Sequence, residues 1–277
     1  MIRLNMIEIK NEDIENILFS ITKKIILPKF KNLKKSEIMR KKNNDLVTVV
    51  DINVEKQLKA DLLKLLPGSL FVGEELFEEN NKIIENYSKN EYCWTVDPID
   101  GTNNFSKGLD NFAIMISLTL KEKILQSWIY IPIEEKMTYA IHKGGSFYNK
   151  KKLKSSNRNE INLSVGSIST KYWDSDYDIS MKNIKKYFKN ISSYGCIGKE
   201  YVDIARGIRD FAILSKLSPW DHIPGILILR EAGGCDNYFN NEKYNFILNK
   251  KNLIIAGNNN LGKNILNLIN GDNNEYK

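Results

Sequence analysis

Apolar residues recur along this 277-residue chain with two different periods, and the change of period marks its elements. Ile14, Ile17, Leu18, Ile21 and Ile25 fall at helical spacing, which predicts an amphipathic helix running towards Pro28 or slightly beyond. Asp51 stands where a second helix would be capped, with Val54, Leu58, Leu62 and Leu65 as its apolar stripe and Pro67-Gly68 as its stop. A short strand is expected over 69–73, running into Glu74-Glu75, and the polar stretch 76–90 reads as a helix plus loop. Strand-like runs follow at 92–96, 112–120, 124–131 and 137–141, with a Gly144-Gly145 turn before 146–149. Two helices and then a meander of strands predict an α+β first half.

The second half alternates. Strands are expected at 163–167, 191–195, 210–214 and 253–256, and helices at 177–187, 197–206, 219–232 and 261–269, the third ended by Gly233-Gly234. That order predicts α/β layering. The lysine-rich stretch 150–159 is the natural boundary, dividing the chain into halves at 1–155 and 156–277. No internal repeat is visible.

Composition narrows the class. Hydrophobic residues make up 42% and charged residues 27%, as in ordinary soluble globular proteins. The net charge of +7 favours anionic partners, but the lysines spread over the whole chain, so solvated faces explain them better than a nucleic-acid surface. Cys93, Cys196 and Cys235 have neither disulfide-framework nor zinc spacing, which suits reduced thiols in the cytosol. Residues 1–13 mix apolar and charged side chains and carry no leader core, and no apolar run approaches the roughly 20 residues of a membrane span. A soluble, cytoplasmic protein is expected.

Acids at the ends of elements carry the chemistry. The strand at 92–96 runs straight into Asp97-Pro98-Ile99-Asp100-Gly101-Thr102, two carboxylates three residues apart followed by a pair that can offer free amides to an anion. Asp51, Glu74 and Asp221 of Pro219-Trp220-Asp221 stand at three further boundaries. Taken singly, each has an ordinary explanation, as a helix cap, a loop acid or a partner of a helix dipole. Taken together, carboxylates for a hard cation beside amides for a phosphate describe a metal-dependent phosphate site. The only histidines are His142 and His222, which leaves little material for a histidine nucleophile or a Ser-His-Asp triad. His222 follows Asp221 directly and reads as packing, because a one-residue offset turns it away on a helix.

The pattern Asp-Pro-Ile-Asp-Gly-Thr-x-Asn-Phe over 97–105, with Trp220, Asp221 and Gly225 as Trp-Asp-x-x-x-Gly, resembles the two signatures of the inositol monophosphatase family. The matching motifs run in order from Asp45 to Gly234. The resemblance implies a layered αβαβα sandwich, a homodimer, and a Mg²⁺-dependent, lithium-sensitive phosphomonoesterase; calcium, whose coordination is looser and larger, is expected to inhibit as well. It also implies the site. One Mg²⁺ would be held by Glu74, Asp97 and the carbonyl of Ile99, and a second by Asp97, Asp100 and Asp221. A weaker third would lie near Glu74, with Asp51 behind it. Catalytic roles fall to Glu74, Thr102 and Asp51, and the phosphate lies against Gly101, Thr102, Asp100 and Asp221. The substrate class is a small polyol, sugar or amino-alcohol phosphate. Histidinol phosphate, fructose 1,6-bisphosphate or a nucleotide 3′-phosphate are the alternatives within enzymes, and a nucleic-acid or transcription-complex binding role is the alternative outside them. Asn103-Asn104-Phe105 follows the inositol-phosphatase-like members. Leu214 departs from them, standing where the animal enzymes place an acid that bonds the inositol ring.

Overall fold

The computed structural model describes residues 7–41, 44–248 and 250–271; the first residues of the segment expected to lack a leader core lie outside them. Seven strands form the larger sheet, in the order β3 (Leu70–Gly73), β4 (Tyr92–Asp100), β5 (Ala113–Leu120), β6 (Lys123–Ile131), β7 (Lys136–Ile141), β8 (Gly145–Tyr148) and β9 (Lys151–Lys152). Only the first pair is parallel; the rest is an antiparallel meander. A separate hairpin, β1 (Ile38–Arg40) and β2 (Leu46–Thr48), precedes it. The smaller sheet has the order β11 (Asn190–Ile191), β10 (Val165–Ile168), β12 (Phe211–Leu214), β14 (Leu253–Ala256) and β13 (Cys235–Tyr238).

Side-chain alternation sorts these sheets into layers. On β4 and β5, Trp94, Val96, Ile114 and Ile116 face a core shared with helices α1 (Asn11–Ile21) and α2 (Val49–Leu65). Cys93, Ala113 and Met115 face the other way, into a middle layer shared with α6 (Ile197–Ala205) and α7 (Pro219–Glu231). On β12 the same alternation sends Ala212 and Leu214 into that middle layer, and Phe211 and Ile213 into a third core under α5 (Ser175–Ile184) and α8 (Asn259–Asn270). The result is an αβαβα sandwich, completed by the short helices α3 (Glu74–Glu79) and α4 (Thr102–Ser106).

Several local expectations are corrected. Asp51 does not cap α2. Thr48 does, and Asp51 is the third helical residue of a capping box, its carboxylate accepting from the Thr48 amide at 2.9 Å. The first helix ends at Ile21 and loosens into a π turn over Thr22–Ile26 before Pro28 is reached. Glu74 and Glu75 follow the end of β3 directly, as expected, and there they form the first turn of α3. The strand expected at 191–195 keeps only Asn190–Ile191, because Gly195 at φ +64° turns the chain into α6. The β1–β2 hairpin and β13 carry too little alternating apolar pattern to be read from sequence.

Candidate active site

A bulge aims the central acids. In a regular strand Asp97 and Asp100 would face opposite sides, being an odd number of residues apart. Asp97 pairs with Met115 and Asp100 with Ala113, so β4 carries one extra residue at Pro98-Ile99. Met115 and Ala113 both face the middle layer, and the bulge turns both aspartates that way while Ile99 packs into the opposite core. Proline suits the bulge, having no N–H to lose. The Ile99 amide donates to Asp97 Oδ1 at 3.0 Å, which fixes that carboxylate. Gly101 follows at φ +90°, where a Cβ would stand 2.9 Å from the Asn111 carbonyl, so the turn into α4 requires glycine.

Asp100 is held from across the cleft. Its Oδ2 accepts from the Gly198 amide at 2.5 Å and lies 3.0 Å from Cys196 Sγ, and its Oδ1 accepts from the Ile197 amide at 3.1 Å. These donors form the start of α6, where a helix N-terminus favours an anion. Asn104 ties the same elements together, its amide donating to the carbonyls of Asn111 and Tyr194 at 2.7 and 2.8 Å. Asn104 is the asparagine of the Thr-x-Asn-Phe pattern.

Asp221 arrives in the first turn of α7, behind Pro219. Gly225, one turn on, lets α7 close on α6, since a Cβ there would lie 2.2 Å from the Tyr201 ring. Trp220 packs on Phe77 of α3, ring centroids 5.0 Å apart, so Asp221 and Glu74 are brought together by neighbouring side chains. Asp97 and Asp221 are themselves in hydrogen-bonding contact. Two carboxyls in contact must share a proton or a cation. Burial and the charges of Glu74, Asp100 and Asp221 drive Asp97 well above the usual carboxylate range. Burial lifts Asp100 to about 7, and raises Glu74 and Asp221 against the pull of Lys41 and Lys216 respectively.

Thr102 and Asp51 form a second chain. The Thr102 hydroxyl lies 2.8 Å from Asp51 Oδ1 and 3.0 Å from the Ile99 carbonyl. Asp51 Oδ2 is held by the Thr48 hydroxyl at 2.5 Å, and burial lifts this carboxyl to about 6. Every site residue singled out from the sequence therefore lies around one cleft, with Gly101, Thr102 and Ile99 on the strand-to-helix turn between the acids.

Sequence reasoning missed Lys41 and Glu55. Lys41 Nζ lies 2.6 Å from Glu74 Oε1 and 2.8 Å from Glu75 Oε1 and is almost fully buried. Burial opposes its charge, but the two carboxylates outweigh that and raise the ammonium. Nothing in the run of lysines distinguishes this one. Glu55 accepts from the Glu75 and Leu76 amides at 2.8 Å each and so caps α3. Its place beside Val54 on the buried face of α2 was the available signal. His222 is neutral packing: its ring bridges the Tyr201 hydroxyl and the Lys216 carbonyl at 3.0 Å each, and burial lowers it to about 4.

Among the described residues no group of three His, Cys, Asp or Glu side chains is already closed into a metal cage. The donors nonetheless suit a hard cation. They are all carboxylate or carbonyl oxygen, they repel one another, and Mg²⁺ needs few protein ligands because it keeps waters. The sequence matches the inositol monophosphatase family over residues 10–272. The chain belongs to that family. It is 32% identical over 215 residues to the fructose-1,6-bisphosphatase/inositol-1-monophosphatase of Aquifex aeolicus, covering 76% of this chain and 78% of that protein. It is 28% identical over 226 residues to the Nus factor SuhB of Escherichia coli K12, covering 80% and 81%. The fold matches that of an IMPase from Thermotoga maritima with a TM-score of 0.80 at 22% identity, over 94% of this chain and 96% of that one. Membership makes this chain a phosphomonoesterase of a generally metal-dependent family. No helix among the described residues is long and apolar enough to cross a membrane.

Proposed function

We propose that this phosphatase hydrolyses a small phosphate monoester, of a polyol, sugar or amino alcohol, with Mg²⁺ as its cofactor. The observation that carries the reading is the meeting of Glu74, Asp97, Asp100 and Asp221 from three elements, α3, β4 and α7, each raised by burial and, but for Glu74's contact with Lys41, unpaired by a close cation among the described residues. Glu74, Asp97 and the Ile99 carbonyl would hold one ion, and Asp97, Asp100 and Asp221 a second. A third near Glu74 would compete with the Lys41 ammonium. When bound, the ions supply charge neutralisation for the phosphate and a more acidic water.

The chain's own groups do the rest. Thr102 donates to Asp51, which leaves a hydroxyl lone pair to accept from the attacking water and makes Asp51 the destination of its proton. Glu74 lies on the same side and orients that water. The amides of Gly101 and Thr102 bind phosphate oxygens. Residues 1–155 carry most of these groups, and residues 156–277 close the cleft with Asp221. The reading includes lithium and calcium inhibition and a cytoplasmic homodimer. Three buried free thiols support the reducing compartment, and sedimentation at twice 32.0 kDa tests the dimer.

The test of the main reading is turnover of a panel of phosphate esters with Mg²⁺ and with excess EDTA. Hydrolysis is expected only with Mg²⁺; undiminished turnover in EDTA overturns it. A role in a transcription complex is a second reading, favoured by the name of the Escherichia coli relative and by the +7 charge. Saturable RNA binding at 150 mM salt by a chain that hydrolyses no ester would replace the first reading with the second.

A further inference from the structure

Beyond the acids the cleft opens into a cavity of about 380 Å³, and part of its wall has no task in hydrolysis. Lys171, Tyr172, Leu214 and Lys216 line that part. Tyr172 stands at φ +66°, the left-handed region, which a bulky side chain adopts only where its surroundings impose it. Such strain gathers at ligand clamps. The ring is half exposed, and Lys216 Nζ lies 5.3 Å from its centroid.

The cluster is built from both sides of the cleft. Ser215 Oγ donates to the Lys171 carbonyl at 2.6 Å, joining the two loops, and His222 holds the Lys216 backbone from beneath. Tyr172 donates its hydroxyl to Asp45 Oδ1 at 3.1 Å, and Lys216 Nζ lies 3.5 Å from Asp45 Oδ2. That last contact is long, and its side chains are 44% and 37% exposed, so it holds the ammonium only weakly. A better anion reaching the cavity can take it. Leu214 beside it presents a buried apolar wall with no acceptor for a hydroxyl.

We propose that Lys216, steadied by Tyr172, recognises a second negatively charged group on the alcohol half of the substrate. This rests on the phosphatase reading and adds the substrate class: an ester whose alcohol carries a carboxylate or a second phosphate. Burial works against the charge of Lys216, yet Asp221 and Asp45 outweigh it and raise the ammonium, so it is cationic throughout the neutral range.

Two matched pairs of esters test the proposal in the Mg²⁺-loaded enzyme. 3-Phosphoglycerate is compared with glycerol 3-phosphate, and propane-1,3-diyl bisphosphate with propane-1,3-diol monophosphate. The acidic member of at least one pair should win in kcat/KM by roughly tenfold, as expected for a charge-assisted bond. The winning pair tells carboxylate from phosphate. Lys216→Gln should bring that ratio close to one, mainly by raising KM for the acidic ester, and Lys216→Arg should restore it. Each ratio is taken within one protein, so a partly unfolded variant does not disturb it. Equal or better turnover of both neutral esters by wild type overturns the proposal. So does a Lys216→Gln variant that slows both members equally, since Lys216 would then serve the scissile phosphate. Hydrolysis of none of the four esters, nor of p-nitrophenyl phosphate, overturns the phosphatase reading itself.

Discussion

Acids are buried in two ways in this molecule. Away from the cleft acids, Glu200 of α6 and Asp236 of β13 each have a guanidinium. Glu200 meets Arg209 at 3.0 Å with both side chains about 3% exposed, a contact of charge rather than an aligned hydrogen bond. Asp236 takes a two-pronged bond from Arg230, at 2.7 Å on each oxygen. In the cleft, Asp97 and Asp221 touch each other, Asp100 is held by amides and a thiol, and Glu74 shares one lysine with Glu75. Burying an ion without a counter-ion is costly. The arginine-paired acids lower that cost within the chain and serve the fold, whereas the cleft acids leave it uncompensated, a cost that the proposed Mg²⁺ would meet.

The sharpest way to break this contrast is Asp97→Asn. Turnover should fall by roughly a thousandfold or more, because one change weakens both ion sites. The metal-free chain should at the same time hold or gain stability, since a repelling charge is removed. A variant that stays active, measured by kcat on p-nitrophenyl phosphate, would place Asp97 with the structural acids. Arg209→Met should do the reverse. Stranding Glu200 should cost about 3–5 kcal/mol of stability in a denaturant titration. An unchanged midpoint would show that the paired acids are not held by their arginines.

Proton linkage separates the two groups more finely. Asp100 and Glu55 stand at about 7 and Glu75 at about 8, above the ordinary carboxyl values of 3.8 and 4.5. Carboxyls raised in this way stabilise the fold fully below about pH 4 and lose that contribution as pH rises through 7 and 8. His222, depressed to about 4, acts only below its ordinary 6.5. In EDTA, Tm should therefore fall between pH 6.5 and 8.5, and Mg²⁺ should raise it more at pH 8.5 than at 6.5. A flat or rising profile in EDTA counts against the cleft acids being uncompensated.

Smaller effects belong to the recognition wall and the core. If Leu214 occupies the place of a ring-binding acid, Leu214→Glu should raise inositol 1-phosphate turnover relative to p-nitrophenyl phosphate by roughly tenfold. Wild-type hydrolysis of inositol 1-phosphate far above every other ester would refute that placement. Cys93→Ser, remote from the acids on β4, should leave kcat within about twofold, as steady-state kinetics would check.

The sequence by itself determined the period of each long element, the layered α and β fold class, and the motif that names the family. These are local properties. Trp94, Val96 and the stripe of α2 declare their faces by spacing alone, and Gly101 is required by a turn that its neighbours already describe. What it could not carry was direction. Counting along a regular strand sends Asp97 and Asp100 to opposite faces, and only the bulge set by pairing with β5 turns them to one side. Asp51 reads as a cap because it begins an apolar stripe, but Thr48 wins that place through a capping box that needs both side chains. Lys41 is one lysine in a basic run until the β1–β2 hairpin buries it against Glu74. The aromatic and cationic wall of Tyr172 and Lys216 joins residues 44 positions apart, and its hold on Asp45 spans the whole cleft. Spacing along a chain specifies which side chains can share a face. Which faces meet, and so which charges find a partner, is decided only when the layers close.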